Sequence, residues 1–413
     1  MAERGSSGSV PAGPATYRSL FADREFRALW LAQAISLTGD QLARVAIAYM
    51  VYAETRSPFI TGLVYAVTYL PWLIGGPLLG GLADRYPRRA VMITCQLISA
   101  ALVALMAVPG VPLAVLAALL FVVILVESPF LSARASLLVD VLPDDRYVLA
   151  SATNLLTVQG AQVFGFTAGG GLVLALGAHT SLLVDAVSFL VAAGLVRFFV
   201  QDRPAAGGGE ADVGGSWQRM KSGARVVFGD RRLRGLVLLA WLATFTVVPE
   251  GLAAPYTDGK ATAVGLMLAA QPVGSVVGGL LLSRLVRPTT RLELMGPLAV
   301  MSCVPLVFFA APLSLPVALG LLVLSGVGTT YNLPANAAFM QSLPPERRGQ
   351  AFGLVSAGLT AGQGLSIAIA GAIAETVSPG VVIAVAGALG VVAAVSVSGA
   401  GRRFLAAPSP AVH

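Results

Sequence analysis

The sequence predicts an all-α membrane protein in which twelve transmembrane helices form two pseudo-symmetric six-helix bundles. Three observations predict this class: the composition, long unbroken apolar runs and an internal repeat. Of the 413 residues, 56% are hydrophobic and only 11% are charged, whereas a soluble domain carries roughly a quarter of its residues as charge. The mean hydropathy is +0.81. This composition excludes soluble enzymes, nucleic-acid readers and disordered scaffolds.

The apolar runs predict helices rather than a membrane β-barrel. Barrel strands alternate polar and apolar residues, but residues 115–126 read VLAALLFVVILV without interruption. A helix needs about 20 mostly apolar residues to cross a bilayer, and breaks at Pro, Gly and charged clusters divide the chain into such lengths. The predicted spans, numbered 1 to 12, are 27–52, 58–84, 88–109, 112–140, 147–176, 179–200, 230–253, 261–286, 291–311, 315–341, 346–375 and 378–400.

One long polar stretch divides the spans into two groups of six. Its first half is Gly-rich and typical of a flexible linker, and its second half, 217–228, predicts a basic amphipathic helix on the membrane surface. The predicted parts are an N-terminal tail (1–26), an N-terminal bundle (27–200), a linker (201–229), a C-terminal bundle (230–400) and a C-terminal tail (401–413).

The distribution of basic residues predicts the topology. With both termini placed in the cytoplasm, 23 of the 27 Lys and Arg residues lie on cytoplasmic segments, as the positive-inside rule requires. We therefore expect a multi-pass protein of the bacterial cytoplasmic (inner) membrane. The positive charge is spread over every cytoplasmic loop, so the net charge of +7 does not indicate a nucleic-acid partner.

An internal repeat relates the two bundles. GLVYAVTYLPWLIGGPLLGGL (62–82) matches GLMLAAQPVGSVVGGLLLSRL (265–285) at an offset of 203, and LPDDRYVLA (142–150) matches LPPERRGQA (343–351) at an offset of 201. Two matches at nearly one offset predict two parallel six-helix repeats. Secondary transporters use such repeats to enclose a binding site at the middle of the membrane.

The loop after span 2 reads GGLADRYPRRAVM (80–92), which resembles the signature G-x-L-A-D-R-x-G-R-R/K of the major facilitator superfamily. The matching positions are Gly80, Leu82, Ala83, Asp84, Arg85, Arg88 and Arg89. Pro87 stands where the family has Gly. The resemblance covers the whole chain and implies the major facilitator fold, with a cytoplasmic gate formed by Gly80 and the charged residues of this loop. Alternatively, the arginines serve only as topology determinants.

Other segments resemble the twelve-span drug and siderophore exporter branch of that superfamily. They are FRALWLAQAISLTGDQLARVA (26–46), LLVDAVSFLVAA (182–193) and SWQRMKSGARVVFGDRRLRGLVLL (216–239). Antiporters of the superfamily carry a Gly-rich string in span 5 that ends near Gly-Pro. Here GAQVFGFTAGGG (160–171) keeps the glycines, which permit close helix approach, but has Phe166 where Pro is expected.

Ionisable residues inside spans are the candidates for proton coupling, because each costs about 2.5–3.5 kcal/mol to insert. Gln33, Ser36, Asp40 and Arg44 lie at steps of three and four on one face of span 1. The position of Asp40 resembles the acidic residue in the first helix of drug/proton antiporters. We expect Asp40 to exchange a proton and Arg44 to be its charge partner; a permanent structural ion pair is the alternative.

Three further carboxylates complete the predicted proton-coupling set. Glu127 lies seven residues before Arg134 in span 4, and it faces either Arg44 or Arg134; the equivalent position of the second repeat is Gly328. A structural pair is the alternative here too. Asp185 in span 6 either takes part in proton coupling or has a packing role through hydrogen bonds. Glu250 follows Pro249 where a break would form a gating hinge, unless it is an exposed rim carboxylate.

Aromatic and amide residues are candidates for lining the substrate cavity, together with Gln33 and Ser36 of span 1. Tyr65, Tyr69 and Trp72 form a stripe on span 2 that suits a flat or cationic cargo, although core or lipid-facing packing is the more common reason for such a stripe. Asn332 and Asn336 lie one turn apart in span 10, around a proline that frees a backbone carbonyl. Contacts between helices are the alternative for these amides.

The remaining motifs predict a transporter rather than an enzyme. The sequence contains no Gly-rich loop with GK[ST], and its two His residues are isolated, so we expect no cofactor, no metal and an ion gradient as the energy source. The leading hypothesis is proton-coupled export of a small amphipathic drug, antibiotic or siderophore by a monomer in the lipid bilayer. The alternatives are an importer or lysophospholipid-type facilitator on the same fold, and a membrane sensor or scaffold that does not transport.

Overall fold

The computed structural model describes residues 16–79, 82–142, 144–203, 228–343 and 345–405. Within these ranges the regular elements are all helices, which confirms the predicted all-α class. The predicted surface helix (217–228) lies outside the described residues, apart from its last residue.

The helices follow the predicted order of spans. Spans 1 to 6, the N-terminal half, are Arg24–Thr55, Pro58–Val67 with Leu70–Leu79, Arg88–Met106, Leu113–Val141, Asp144–Leu176 and Ala178–Phe199. Spans 7 to 12, the C-terminal half, are Arg231–Ala240 with Ala243–Thr246 and Val248–Tyr256, Ala261–Leu285, Met295–Val307, Leu315–Thr329 with Asn332–Gln341, Pro345–Ile373 and Pro379–Leu405. Short helices occur at Tyr17–Ala22, Leu82–Arg85 and Pro288–Glu293, and a 3-10 turn at Phe308–Ala310.

Length and composition support membrane insertion of these helices. Nine helices of the described ranges are long and apolar enough to cross a bilayer, and Met295–Ala310 is a shorter apolar helix. Span 1 is long enough, at 32 residues, but Asp40, Arg44 and other polar residues in its interior lower its mean hydropathy. Span 5 is similar, since Asn, Gln, Thr and Gly interrupt its apolar positions. The two polar spans pack against each other, and span 5 also packs on span 8.

Local sequence signals explain where span 1 ends and span 2 begins. Asp23 caps the start of span 1 by accepting hydrogen bonds from the backbone N–H groups of Glu25 and Phe26 at 2.8 and 3.0 Å. Arg56 ends the span in the left-handed conformation, with φ of 53°. Ser57 then caps span 2, and Pro58 occupies its first turn, where a missing N–H costs nothing.

Three spans are interrupted near the middle. Span 2 breaks after Val67, span 7 before Ala243 and again at Val247, and span 10 before Asn332. The second break in span 7 immediately precedes Pro249 and Glu250, which is where the sequence predicts a hinge. Interrupted helices occur in transporters where backbone groups line a cavity rather than lipid.

Each half is held together by its own helix contacts. In the N-terminal half, span 1 packs on spans 5 and 6, and span 3 packs on spans 4 and 6. In the C-terminal half, span 9 packs on spans 10 and 12, and span 8 packs on span 10. The halves meet through span 5 on span 8 and span 2 on span 11. Because the repeat equates span 2 with span 8 and span 5 with span 11, these two contacts are equivalent by symmetry.

Large apolar side chains cover the outside of the bundle. Phe198, Leu285 and Leu174 are 79%, 75% and 71% exposed, and many other Leu, Val and Phe side chains of the spans are exposed as well. Soluble proteins rarely expose contiguous apolar surface on this scale. The charged residues in the interior of the spans are buried instead, which is the arrangement expected in lipid.

Candidate functional site

A cluster of buried charges lies in the N-terminal half. Asp40 of span 1 interacts electrostatically with Asp185 of span 6, Glu127 of span 4 and Arg44 one turn away. Ser188 donates a hydrogen bond to Asp185 at 3.1 Å. A side chain at Gly39 would collide with Asp185 and Ser188, so this glycine permits span 1 to approach the carboxylate. Three carboxylates and one guanidinium thus share one buried region.

A small polar pocket adjoins this cluster between spans 1, 3 and 4. It has a volume of about 30 Å³ and is lined in part by Gln33, Ser36, Asp40, Gln96 and Glu127. Gln33 Oε1 and Gln96 Nε2 are buried here without a hydrogen-bond partner among the described side chains. A pocket of that size has room for one or two waters, which need about 10–15 Å³ each. Gln33 and Ser36 therefore lie beside Asp40 and away from the central cavity described below.

The two arginines of the predicted set have different neighbours. Arg44 interacts electrostatically with both Glu127 and Glu250, although no ion pair within 4.0 Å joins it to either. Arg134 Nη2 instead donates a hydrogen bond to Asn154 Oδ1 of span 5 at 3.2 Å. The sequence allows Glu127 to face either Arg44 or Arg134, and in the structure it interacts with Arg44.

Glu250 connects the two halves inside the membrane. Its Oε2 accepts hydrogen bonds from Tyr65 and Tyr69 of span 2, at 3.2 and 3.5 Å. Tyr65 also packs in a buried apolar cluster with Val247 of span 7 and Ile367 of span 11. Trp72, the third residue of the predicted aromatic stripe, is 37% exposed and has no ring contact with the two tyrosines.

A polar cavity next to Glu250 lies between the halves. Its volume is about 190 Å³, and spans 5, 7, 8, 10 and 11 line it. Amide side chains reach it from Gln159, Gln162, Gln271, Asn332 and Gln363. Asn336 is exposed and does not line it. The cavity therefore contains one residue predicted to couple protons, Glu250, and one predicted to line the cargo site, Asn332.

Glycines bring the halves together on one side of the bundle. A side chain at Gly62 of span 2 would meet Gly371 of span 11 at 3.3 Å, and one at Gly170 of span 5 would meet the backbone oxygen of Ala261, in span 8, at 2.8 Å. This side also carries Lys260 and the loops after spans 1 and 11, and we call it the far face. The halves are closed there. The glycine string of span 5 thus contributes to this closure through Gly170.

An exposed carboxylate adds to the far-face closure. Glu375, after span 11, accepts hydrogen bonds from the Ser57 hydroxyl and, at 3.0 Å, from the Phe59 backbone N–H. These donors lower the pKa of Glu375, because they stabilise its ionised form. The first turn of span 2 in one half is thereby joined to the end of span 11 in the other.

The opposite side, which we call the basic face, carries the loop that resembles the family signature. Arg88 forms an ion pair with Asp140 at the end of span 4, and Arg89 donates to the backbone oxygen of Arg197 at the end of span 6. Arg85 lies 5.9 Å from the ring of Tyr86. Gly80 lies outside the described residues, as does the side chain of Asp84.

Asp140, Asn154 and Glu375 are among the site residues that the sequence-based predictions do not name. Asp140 is the partner of Arg88, Asn154 the partner of Arg134, and Glu375 the acceptor at the far face. Asp140 could have been identified from the sequence, because it lies at the end of an apolar span on the side where basic residues concentrate. Nothing in the sequence connects Asn154 or Glu375 to a partner.

Comparison with known families identifies the group of proteins. The sequence profile of the Major Facilitator Superfamily matches residues 29–345 and 246–411, which together cover most of the chain. The chain belongs to the Major Facilitator Superfamily. It is therefore a multi-pass membrane protein of a transporter family, and the predicted resemblance is confirmed.

Its relatives are bacterial. The uncharacterized MFS-type transporter YkuC of Bacillus subtilis is 27% identical over 183 residues, which cover 43% of this chain and 42% of YkuC. Macrolide efflux protein A of Streptococcus pyogenes is 32% identical over 77 residues, or 19% of each chain. The chain thus matches less than half the length of these relatives.

Solved structures of low sequence identity share the fold. A POT family transporter in complex with a thioalcohol conjugated peptide aligns over 94% of this chain and 96% of its own, with a TM-score of 0.72 and 10% identity. A bacterial homologue of the human lysosomal transporter Spinster, inward-facing and unoccupied, aligns over 94% and 99%, with a TM-score of 0.63 and 17% identity. These likenesses concern the fold alone.

Proposed function

We propose that this protein is a secondary active transporter of the bacterial inner membrane that exports small amphipathic molecules in exchange for protons. Alternating opening of the far face and the basic face would carry the cargo across. The observation that supports this proposal most strongly is the buried cluster of Asp40, Glu127 and Asp185 around one guanidinium, that of Arg44.

The charge balance of the cluster favours proton binding. Three ionised carboxylates beside one cation would leave excess negative charge in a region of low dielectric, where each unpaired charge is costly. Binding a proton removes part of that cost. Asp40 is the proton site that we favour, because it faces the two other carboxylates and Arg44.

Movement of the halves would change this balance. Arg44 interacts with Glu127 of its own half and with Glu250 of the other half. When the far face opens, Glu250 moves away with the C-terminal half. Arg44 then interacts only with the carboxylates of the N-terminal half. The charge that surrounds Asp40 is therefore different when the far face is open. This sequence of events links conformation to protonation, as exchange of cargo for protons requires.

The direction of transport rests on one further observation. The similarity to macrolide efflux protein A over 77 residues is consistent with export. Import is the second candidate, favoured by Phe166 at the position where antiporters have Pro.

Transport into inside-out vesicles tests this function. A panel of fluorescent dyes and antibiotics identifies a transported compound, whose accumulation is then followed with and without an imposed pH gradient, acid inside. We expect gradient-dependent accumulation with the wild type, none with Asp40→Asn, and wild-type behaviour with Glu54→Gln, a matched change at an exposed carboxylate. Accumulation that persists in Asp40→Asn would remove Asp40 from the mechanism. Accumulation only in right-side-out vesicles would establish import.

A further inference from the structure

Glu250 belongs both to the central cavity and to the contact between the halves. It lines the cavity together with polar side chains of spans 5, 8, 10 and 11. Its Oε2 also accepts the hydrogen bonds of Tyr65 and Tyr69, which lie on span 2 of the opposite half. One carboxylate thus faces the space that cargo would occupy and the side chains that hold the halves together.

The lining of the cavity is unusually polar for a drug site. Nine of its twelve lining residues carry a hydroxyl, amide or carboxylate group, whereas pockets for drug-like molecules are mostly apolar and aromatic. Each Gln or Asn amide offers two donors and an acceptor with two lone pairs. A cargo group that is rich in hydroxyls would satisfy these amides, and a purely apolar group would leave them without partners.

Glu250 is the only ionisable residue among those that line this cavity. Arg44 interacts with it electrostatically but is not one of the lining residues. A cation that entered the cavity would therefore meet a carboxylate and no competing basic side chain. Charge-assisted hydrogen bonds are roughly twice as strong as neutral ones, so a protonated amine would bind Glu250 more strongly than the tyrosine hydroxyls do.

The cavity volume limits the size of the bound group. About 190 Å³ corresponds to roughly a dozen or more water molecules at about 10–15 Å³ each. In this conformation the cavity accommodates one substituted ring or a short amine, and the rest of a larger molecule remains outside it. The size and the polarity together suit an aminosugar.

We propose that Glu250 binds a protonated amine on a hydroxyl-rich cargo group, and that this binding displaces Tyr65 and Tyr69 from its carboxylate. The proposal rests on the proposed function, since it names the class of cargo for the same transporter. Loss of the tyrosine hydrogen bonds removes a connection between spans 2 and 7. Cargo binding therefore weakens the far-face closure from inside the membrane.

Equilibrium binding of two matched probes tests this proposal. Daunorubicin is a fluorescent glycoside with an aminosugar, and in its 3′-deamino-3′-hydroxy analogue a hydroxyl replaces the amine. Binding to the purified protein in detergent is measured by fluorescence anisotropy without any pH gradient. We expect the wild type to bind the amine at least about tenfold more tightly than the analogue, which is the size of one charge-assisted hydrogen bond.

Four variants test whether the preference for the amine probe depends on the Glu250 carboxylate. We expect Glu250→Gln to bind the two probes about equally, Glu250→Asp to keep part of the preference, and the exposed control Glu54→Gln to match the wild type. The double variant Tyr65→Phe/Tyr69→Phe removes the competing donors and should bind the amine several-fold more tightly. Equal binding of both probes by the wild type, or a preference that survives in Glu250→Gln, would overturn amine recognition. Weaker amine binding by the tyrosine variant would overturn the competition.

The result is separable from that of the transport test. Absence of an amine preference alongside gradient-driven export would overturn this inference and leave proton coupling intact. An amine preference without any effect of the gradient on transport would overturn proton coupling and leave the cargo assignment intact.

Discussion

The two halves of the molecule differ in how they use polar residues. The N-terminal half buries Asp40, Glu127 and Asp185 with Arg44 between its own spans, whereas Glu250 is the one buried carboxylate among the described side chains of the C-terminal half. Most of the residues that line the central cavity come from the C-terminal half, and they are mainly uncharged and polar. We propose that this difference is a division of work in which one half holds the proton sites and the other supplies most of the cargo site.

One pair of equivalent positions shows the physical origin of the difference. Glu127 of span 4 lies beside a polar pocket, but its counterpart in span 10 is Gly328. A side chain at Gly328 would collide with the backbone of Ser302 in span 9. Close packing of spans 9 and 10 thus excludes a carboxylate from the place where the first repeat has one.

The largest effect is expected when Gly328 is replaced by glutamate, the residue at the equivalent position of the first repeat. Gly328→Glu should prevent normal folding, because the side chain has no space and its charge no partner. The smaller change Gly328→Ala should lower the free energy of unfolding by about 1–3 kcal/mol through overpacking. Gly320→Ala, in the same span but with open space around it, should not destabilise the protein. Thermal unfolding in detergent measures all three; equal stability of the two alanine variants would contradict this packing argument.

The next largest effect concerns the cation shared by the halves. Arg44→Gln leaves Glu127 and Glu250 without their cation and should cost about 3 kcal/mol of stability, whereas the exposed control Arg27→Gln should cost almost nothing. Adding Glu127→Gln to Arg44→Gln should recover part of the loss, because one unpaired carboxylate is then removed. Denaturation of the single and double variants provides this comparison. No recovery would mean that Arg44 does not stabilise Glu127.

The sequence predicts those parts of this arrangement in which the interacting residues lie close together along the chain. The twelve spans, the buried charges and the shared face of Asp40 and Arg44 follow from hydropathy and helical spacing, which depend on neighbours along the chain. The contact of Tyr65 with Glu250 spans 185 residues and depends on how two halves meet. The sequence therefore indicates that both residues matter but assigns them to separate roles, an aromatic stripe and a hinge.

The basic face illustrates the same limit. The resemblance to the family signature draws attention to the charged loop around Asp84, but the partner that Arg88 has in the structure is Asp140 at the end of span 4. The pair forms only when spans 3 and 4 pack side by side. A pattern within one loop cannot contain that information.

A smaller effect is expected where the halves meet at the far face. The donors to Glu375 lower its pKa in the closed state, so they favour closure at neutral pH, and this contribution is lost as the pH falls below the usual range of a Glu side chain, about 4.3. Spin labels at Glu54 and Val377, in a background with Cys95 and Cys303 replaced, report the separation of the halves.

We expect Glu375→Gln to shift the closed-to-open ratio roughly two- to fivefold toward open at pH 7, the size typical of an exposed charged contact. Its ratio should change less between pH 7 and pH 4 than that of the wild type, because the contribution of Glu375 is absent. A pH dependence that is unchanged in Glu375→Gln would show that another group controls this face.

The smallest effect is expected at the basic face, where Arg88 and Asp140 lie within one half and are partly exposed. Asp140→Asn should slow transport about two- to fivefold, as for other exposed ion pairs, without weakening the binding of daunorubicin. Neutralising Asp84 should likewise slow cycling rather than weaken binding. Transport rate and equilibrium binding are compared with those of Glu293→Gln, an exposed control. A loss of affinity with an unchanged rate would contradict the gate assignment.

Proton release on cargo binding tests the division of work between the halves most directly. Purified protein in weakly buffered detergent is mixed with daunorubicin while a pH-sensitive dye records the protons released. We predict that the wild type releases protons on binding, and that Asp40→Asn releases none and binds daunorubicin more weakly, since linkage requires that cargo and proton affect each other equally. Undiminished release from Asp40→Asn, or no release from a wild type that binds the probe, would contradict the account.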